Sequence, residues 1–423
     1  MSTFYKKRVL SAFERMHWGR LKLCLPKGEV VYFGTEAATT AEMIINDERC
    51  FADWMLKSDI GLGETYVEGL WSSQEPEKVI AFFLRNYATI EESRYPILTS
   101  MVRTSLKLKE WMTHYFKRNT THQSRKNISR HYDLGNEFYA YFLDPSMTYS
   151  SGWFASPEQT LEDAQNEKHD RLCRKLGLKA SHHVLEIGCG WGGFAIHAAV
   201  YYQCKVTALT LSQAQYDYVY ARILSLGLEG QVQVLLKDYR ELEGSFDRIV
   251  SIEMLEAVGH GFLKPYFRKC ACLLKEAGIL GLQVILCADH RYATYRREID
   301  WIRKHVFPGG HLPSFNAIQS SISKRSKMCL QHFESFGLHY ARTLKEWRKR
   351  FLENFEKIRL LGFDDAFKRK WELYLAYCEA AFKERHINVA QLIYSRSNDR
   401  SYGYELYNDP AHLTAHCYQQ SVQ

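Results

Sequence analysis

Val184-Leu185-Glu186-Ile187-Gly188-Cys189-Gly190-Trp191-Gly192-Gly193 decides the fold: a short apolar run carrying one acid ends in four glycines. Glycines at a strand tip let the backbone turn tightly, approach a ligand closely and aim a helix N-terminus at it. The dinucleotide fingerprint spaces its glycines more widely to seat a pyrophosphate. Outward from this turn the apolar pattern predicts strands at 183–187, 205–209, 232–235, 248–252 and 279–286, with helices at 194–202, 212–226 and 266–274. Strands alternating with helices of that length imply a parallel sheet covered on both faces. Ligands of such sheets sit beyond the carboxyl ends of the strands. Thr210, Leu211 and Gln215 follow the second strand, where Ser212 suits a helix N-cap. Tyr239, available to stack on a flat ligand, and Arg240 follow the third.

The chain has 423 residues, 46% hydrophobic and 25% charged, which fits two globular domains rather than a disordered or fibrous class. Its net charge of +8 favours an anionic partner such as nucleic acid, anionic lipid or an acidic metabolite. Eleven cysteines at irregular spacing form neither a disulfide framework nor paired CxxC ligands, so no metal site is expected. The basic start, MSTFYKKRVLSAF, lacks an export-length apolar run, and no segment approaches the roughly 20 apolar residues that span a bilayer. A cytoplasmic protein with reduced thiols is the expectation.

Three regions separate along the chain. Residues 1–100 read as a small α+β domain, strand-like at 30–33 and helical at 41–54 and 76–87, with a glycine-punctuated turn at 59–64. Residues 101–130 carry Arg103, Lys107, Lys109, Lys117, Arg118, Arg125, Lys126 and Arg130, and read as a basic linker. It is either simply solvated or held against an anionic membrane surface, where each basic residue contributes about 1 kcal/mol. Residues 131–423 form the third region, with an amphipathic helical tail at 340–395 expected to pack back on the sheet. Phe4, Val9, Leu10, Phe13 and Met16 recur every three to four positions beside basic residues, which suits an interfacial helix or a packed one.

An acid inside the strand before the glycine turn resembles the first motif of Rossmann-like class I methyltransferases. Two more segments narrow the resemblance. One is His131-Tyr132-Asp133-Leu134-Gly135-Asn136, continuing to Thr148-Tyr149-Ser150-Ser151-Gly152; the other is Ser251-Ile252-Glu253-Met254-Leu255-Glu256-Ala257-Val258-Gly259. With the glycine turn these look like the cyclopropane-fatty-acyl-phospholipid synthase family, including the mycolic-acid cyclopropane synthases. The likeness runs from Gly61 to about Ser395 and includes the N-terminal domain of the bacterial phospholipid enzymes.

The resemblance implies S-adenosylmethionine as cofactor, with a methylene group delivered to the cis double bond of an unsaturated phospholipid acyl chain. It places Tyr149, Ser150, Glu186, Gly188, Gly190, Gly192, Thr210, Leu211, Gln215, Tyr239 and Arg240 around that cofactor. It assigns the active site to Glu256, Tyr340, Gln283, Ile285, Ser151 and Cys378, and implies a bound bicarbonate as base. Cys378 lies on an apolar helix face, where an inert thiol is the simpler reading, since an alkene reaction needs no thiolate. The expected partner is phospholipid at the inner face of the membrane, with homodimerisation left open. Nucleic acid is not expected, because no Asn/Asp-Pro-Pro-Tyr-like motif for amino methylation is present.

The chain departs from the family pattern at three places. Tyr-Ser-Cys reads Tyr149-Ser150-Ser151, Phe-Glu-His reads Leu255-Glu256-Ala257, and the histidine of Leu-Leu-His-Thr-Ile is Gln283. Gln283 can donate from its amide but cannot carry a positive charge. Glu253 is extra: a solvated or capping carboxylate is the plain reading, and a pair with Glu256 in which one pKa is raised is the alternative. Methyl transfer without ring closure and a non-catalytic lipid-binding protein are the competing functions.

Overall fold

Four short strands, β1 (Leu21–Cys24), β2 (Val30–Phe33), β3 (Ala41–Ile45) and β4 (Trp71–Ser72), form a sheet in the order β2-β1-β3-β4 in the computed structural model of the chain. The structure describes residues 2–92, 134–322 and 326–397, so the basic linker expected at 101–130 and His131 to Asp133 lie outside the described residues. Contacts divide the chain into two units that interleave in sequence. The first takes Met1–Leu143, Leu286–Phe315 and Phe336–Asn388, and the second takes Asp144–Ile285, Asn316–Ser335 and Val389 onward. This division differs from sequential bounds at 100 and 131, because helices Gly337–Glu353 and Asp365–Lys383 pair with each other and the latter packs on Asp59–Val67 and Pro76–Arg85.

Three local readings change. Ala41-Glu42-Met43-Ile44-Ile45 is a strand, not the start of a helix, with Ala41, Met43 and Ile45 buried and the residues between them exposed. The stretch expected to turn at 59–64 lies inside the helix Asp59–Val67. Its glycines serve close packing: a Cβ on Gly61 would lie 2.2 Å from the Asp53 carbonyl oxygen, and one on Gly63 would lie 2.3 Å from the Trp301 indole. The N-terminal helix Ser2–Phe13 is packed through Val9 and Phe13, whereas Phe4 is exposed. The helical tail expected at 340–395 ends at Lys383, and 387–396 is a strand.

The second unit is built on seven strands: β5 (His183–Ile187), β6 (Lys205–Thr210), β7 (Val232–Leu236), β8 (Phe246–Ile252), β9 (Leu274–Cys287), β10 (Met328–Ser335) and β11 (Ile387–Arg396). Their order is β10-β11-β9-β8-β5-β6-β7. Strands β7, β6, β5, β8 and β9 run parallel, and β10 is antiparallel to β11. From β5 the chain winds outward through β6 to β7, then returns to β8 on the other side. That reversal beside β5 is where ligands of doubly wound sheets bind. The core beneath it joins Val184, Phe194, Ala198, Val206, Val219, Ile223 and Val250, which is what near-continuous apolar strands covered on both faces require.

Candidate active site

The glycine turn closes β5 and starts the helix Gly193–Tyr202. Gly188 and Gly192 both have φ +83°, which L side chains rarely adopt, and a Cβ on Gly188 would lie 2.7 Å from Met254 Cγ. Gly190 also has positive φ. The N–H groups of Gly188 and Cys189 donate to the Leu209 carbonyl at 3.1 and 2.8 Å, fastening the turn to the end of β6. Beside it Thr210 Oγ1 donates to Gln215 Oε1 at 2.8 Å, and Ser212 Oγ accepts the Gln215 N–H as an N-cap. Leu211 is half-buried between them.

Two buried polar atoms here are left over. Glu186 Oε2 and Gln215 Nε2 have no hydrogen-bond partner among the described residues. Burial pushes the Glu186 carboxyl up to about 8 against the opposing pull of Lys168. An unmatched acceptor and donor beside a glycine cradle fit a ligand carrying both kinds of group, such as the methionine and ribose parts of S-adenosylmethionine. Beyond β7, Asp238 is buried and holds Arg240 through 2.9 and 2.6 Å bonds, so that guanidinium is turned to its neighbour. Tyr239 packs edge-on against Tyr266 at 5.3 Å between ring centres.

The loop before the helix Leu161–Lys175 is shaped by Asp144, which accepts from the Ser146 and Thr148 N–H groups. This loop carries Tyr149, half-buried, and Ser150 and Ser151, both buried. Lys168, fully buried, donates to Ser150 Oγ at 2.8 Å, and burial pulls its ammonium down to about 8.

The register of β8 and β9 sets Ile252 opposite Gln283, so Glu253 leaves β8 beside it, and its N–H donates to the Gln283 carbonyl at 2.7 Å. Glu253 has φ +49°, a strained conformation for a glutamate. Its Oε1 accepts the Ser151 N–H at 2.9 Å and the Gln283 side-chain amide at 2.8 Å. The plain reading of Glu253 as a solvated or capping carboxylate therefore gives way to a carboxylate held by two donors at the ends of β8 and β9. Glu256, in a short 3-10 turn, accepts the Ile285 N–H at 2.5 Å, and its Oε2 has no partner among the described residues. Burial first, then the Glu253 charge, push the Glu256 carboxyl up to about 8.

Ser151, Gln283, Ile285 and Glu256 thus come together with Glu253 at the ends of β8 and β9. Tyr340 and Cys378 belong to the first unit. Tyr340 is buried and stacks on Phe382 at 4.4 Å. Burial pushes the Cys378 thiol well above its ordinary range, which disfavours a thiolate. Sequence reasoning missed Lys168, Lys175 and Gln391. Nothing in the polar helix sequence Leu161–Lys175 marks its two lysines as buried.

A doubly wound sheet with a glycine cradle at its switch point, unmatched polar atoms beside it and carboxylates at the next strand ends defines an S-adenosylmethionine-dependent methyltransferase. The chain belongs to the mycolic acid cyclopropane synthetase family, whose model matches residues 119–392. It is 37% identical over 339 residues to the tuberculostearic acid methyltransferase UfaA1 of Mycobacterium tuberculosis, covering 78% of each chain. It is 32% identical over 371 residues to the cyclopropane-fatty-acyl-phospholipid synthase of Escherichia coli, covering 84% of this chain and 88% of that one. Among solved structures it resembles mycolic acid cyclopropane synthase CmaA1 complexed with SAH and CTAB, with TM-score 0.59 and 29% identity, over 64% of this chain and 98% of the other. No helix among the described residues is long and apolar enough to cross a membrane.

Proposed function

We propose that the chain transfers a one-carbon unit from S-adenosylmethionine to the cis double bond of an unsaturated phospholipid acyl chain, with Glu253 as its built-in base. The carrying observation is that Glu253 Oε1 takes the Ser151 N–H and the Gln283 amide. In the family pattern these groups border the bicarbonate position, and here a side-chain carboxylate fills that role.

When bound, the cofactor supplies an electrophilic methyl group. An alkene that accepts this methyl becomes a carbocation on the acyl chain, so the surrounding residues must exclude water. Glu253, with no further groups needed, takes one proton from the new methyl. The freed electron pair closes the cyclopropane ring. If a hydride first shifts between the two former alkene carbons, the same pair forms an exomethylene double bond. The likeness to a tuberculostearic acid methyltransferase favours this second, unclosed product as the alternative. Burial and then the Glu253 charge push the Glu256 carboxyl up to about 8, which disfavours a second charge beside Glu253. The net charge of +8 suits attachment to an anionic bilayer surface while the substrate is withdrawn.

The test is label transfer from methyl-labelled cofactor into vesicles of unsaturated phospholipid, with the product read by mass spectrometry and NMR. Label in lipid supports the reading, and ring or exomethylene signals decide its form. Cofactor binding with no label in lipid sinks it in favour of a non-catalytic lipid-binding protein.

A further inference from the structure

Behind Glu253 a file of buried polar side chains runs through the sheet of the second unit. Lys175 Nζ donates to Gln391 Oε1 at 2.6 Å, Gln391 Nε2 to Gln283 Oε1 at 3.1 Å, and Gln283 Nε2 to Glu253 Oε1 at 2.8 Å. Lys175, Gln391 and Gln283 are at most 2% exposed. The direction of this file is forced from both ends. A carboxylate only accepts, so Gln283 must present its NH2 to Glu253 and its oxygen to Gln391. An ammonium only donates, so Gln391 must present its oxygen to Lys175. Both constraints agree on one orientation of the two amides, with their dipoles head to tail.

We propose that Lys175 is a positioning residue for this reaction, acting on Glu253 through the amides of Gln391 and Gln283. The inference rests on the reading of Glu253 as the base. Each amide bond in such a chain polarises the next, so the donor facing Glu253 is stronger than an isolated glutamine. The cation anchors the far end of the file as one member of an ion pair. Lys175 also donates to Glu334, whose other carboxylate oxygen takes Arg171 at 2.6 Å. Burying a lysine is costly unless its donors are matched, and here Glu334 and the Gln391 oxygen match them. The arrangement also accounts for Gln283, which stands where the family pattern has a histidine able to carry charge: the charge sits two amides away. Lys175 holds the carboxylate aimed without touching substrate or cofactor.

The test compares Lys175→Met, Gln391→Met, the double variant and Glu253→Gln in the vesicle assay, with cofactor affinity and thermal melting as controls on folding. Lys175→Met and Gln391→Met are each expected to lower kcat by roughly ten- to a hundredfold, as loss of an outer partner does at other sites, with the lipid KM within about twofold. The double variant is expected to be no slower than the slower single, because both cut one file. Wild-type kcat in the single variants, or losses that multiply in the double, overturns the proposal. If Lys175→Met does not fold, Gln391→Met carries the test, since it cuts the file and leaves the charge in place. Full activity in Glu253→Gln overturns the base assignment itself. An inactive Glu253→Gln beside fully active Lys175→Met and Gln391→Met overturns the relay alone.

Discussion

The backbone N–H of Ser151 donates to Glu253 Oε1 at 2.9 Å, joining groups 102 residues apart in sequence. This bond, with the Gln283 amide, fixes a carboxylate at the strand ends, where the proposed mechanism removes a proton. Glu253→Gln keeps the shape and removes the base. It is expected to lower lipid labelling by roughly 10²–10⁴-fold while cofactor affinity stays unchanged, a comparison that labelling rates and calorimetry make directly. Equal rates in variant and wild type would exclude Glu253 as the base.

With Glu253 as the proposed base, the reaction has no need of a dissolved carboxylate. Turnover in carbon dioxide-depleted buffer is expected to match turnover with added bicarbonate, measured as initial rates of label incorporation. A rate that climbs and saturates with bicarbonate would show that the anion, not Glu253, takes the proton.

Glu186 and Gln215 each hold a buried polar atom without a partner among the described residues, and cofactor binding is expected to supply one. Glu186→Gln and Gln215→Leu should each weaken binding of S-adenosylhomocysteine by about tenfold, the scale of one charged or well-placed hydrogen bond, as isothermal titration would read. Unaltered affinity in both would move the cofactor away from this edge.

Burial raises the Glu256 carboxyl from its ordinary 4.5 to about 8, and Glu186 shifts the same way. Through that window the unfolded chain has released protons that the folded chain still holds. Folding stability therefore falls as pH rises from about 4.5 to about 8, and these groups have no effect on it below both values. Glu256→Gln removes one share of this cost. Its melting temperature is expected to exceed that of wild type by more at about pH 8.5 than at about pH 5. A constant difference across pH would show that Glu256 titrates normally.

Cys378 has a thiol pushed well up by burial, and the chemistry asks for no thiolate. Cys378→Ser is expected to keep the labelling rate within about twofold of wild type, since little beyond a small packing group is changed. An inactive variant that still folds and binds cofactor would restore the cysteine to the mechanism.

How much was readable in advance depended on where each residue finds its partners. The alternating segment from β5 to β9 was legible nearly residue by residue, because buried parallel strands are continuous apolar runs, and the reading of β5 coincides with His183–Ile187. Ala41–Ile45 was misread because five residues cannot show their period once a helix follows. Gly61 and Gly63 looked like turn residues, but what they answer to is Trp301 and the Asp53 carbonyl, which only the packed chain brings near. At the site, Glu256, Gln283 and Ser151 were found through motifs, and Glu253 stood out only as an added acid. Lys175 and Gln391 were invisible for a physical reason: a lysine on an amphipathic helix looks solvated until a strand from the far end of the chain covers it.

Strand β11 lies between β9 and β10, yet it is the last strand in the described chain. On the ribosome β9 is complete about 100 residues before β11 begins, a wait of roughly 5–20 s at ordinary synthesis rates. During that interval the flank of β9 that will receive β11 is an open edge, the kind that recruits chaperones or stray strands. A nascent chain stalled before Ile387 should be degraded by added protease throughout its sheet, and one released past Arg396 should resist it.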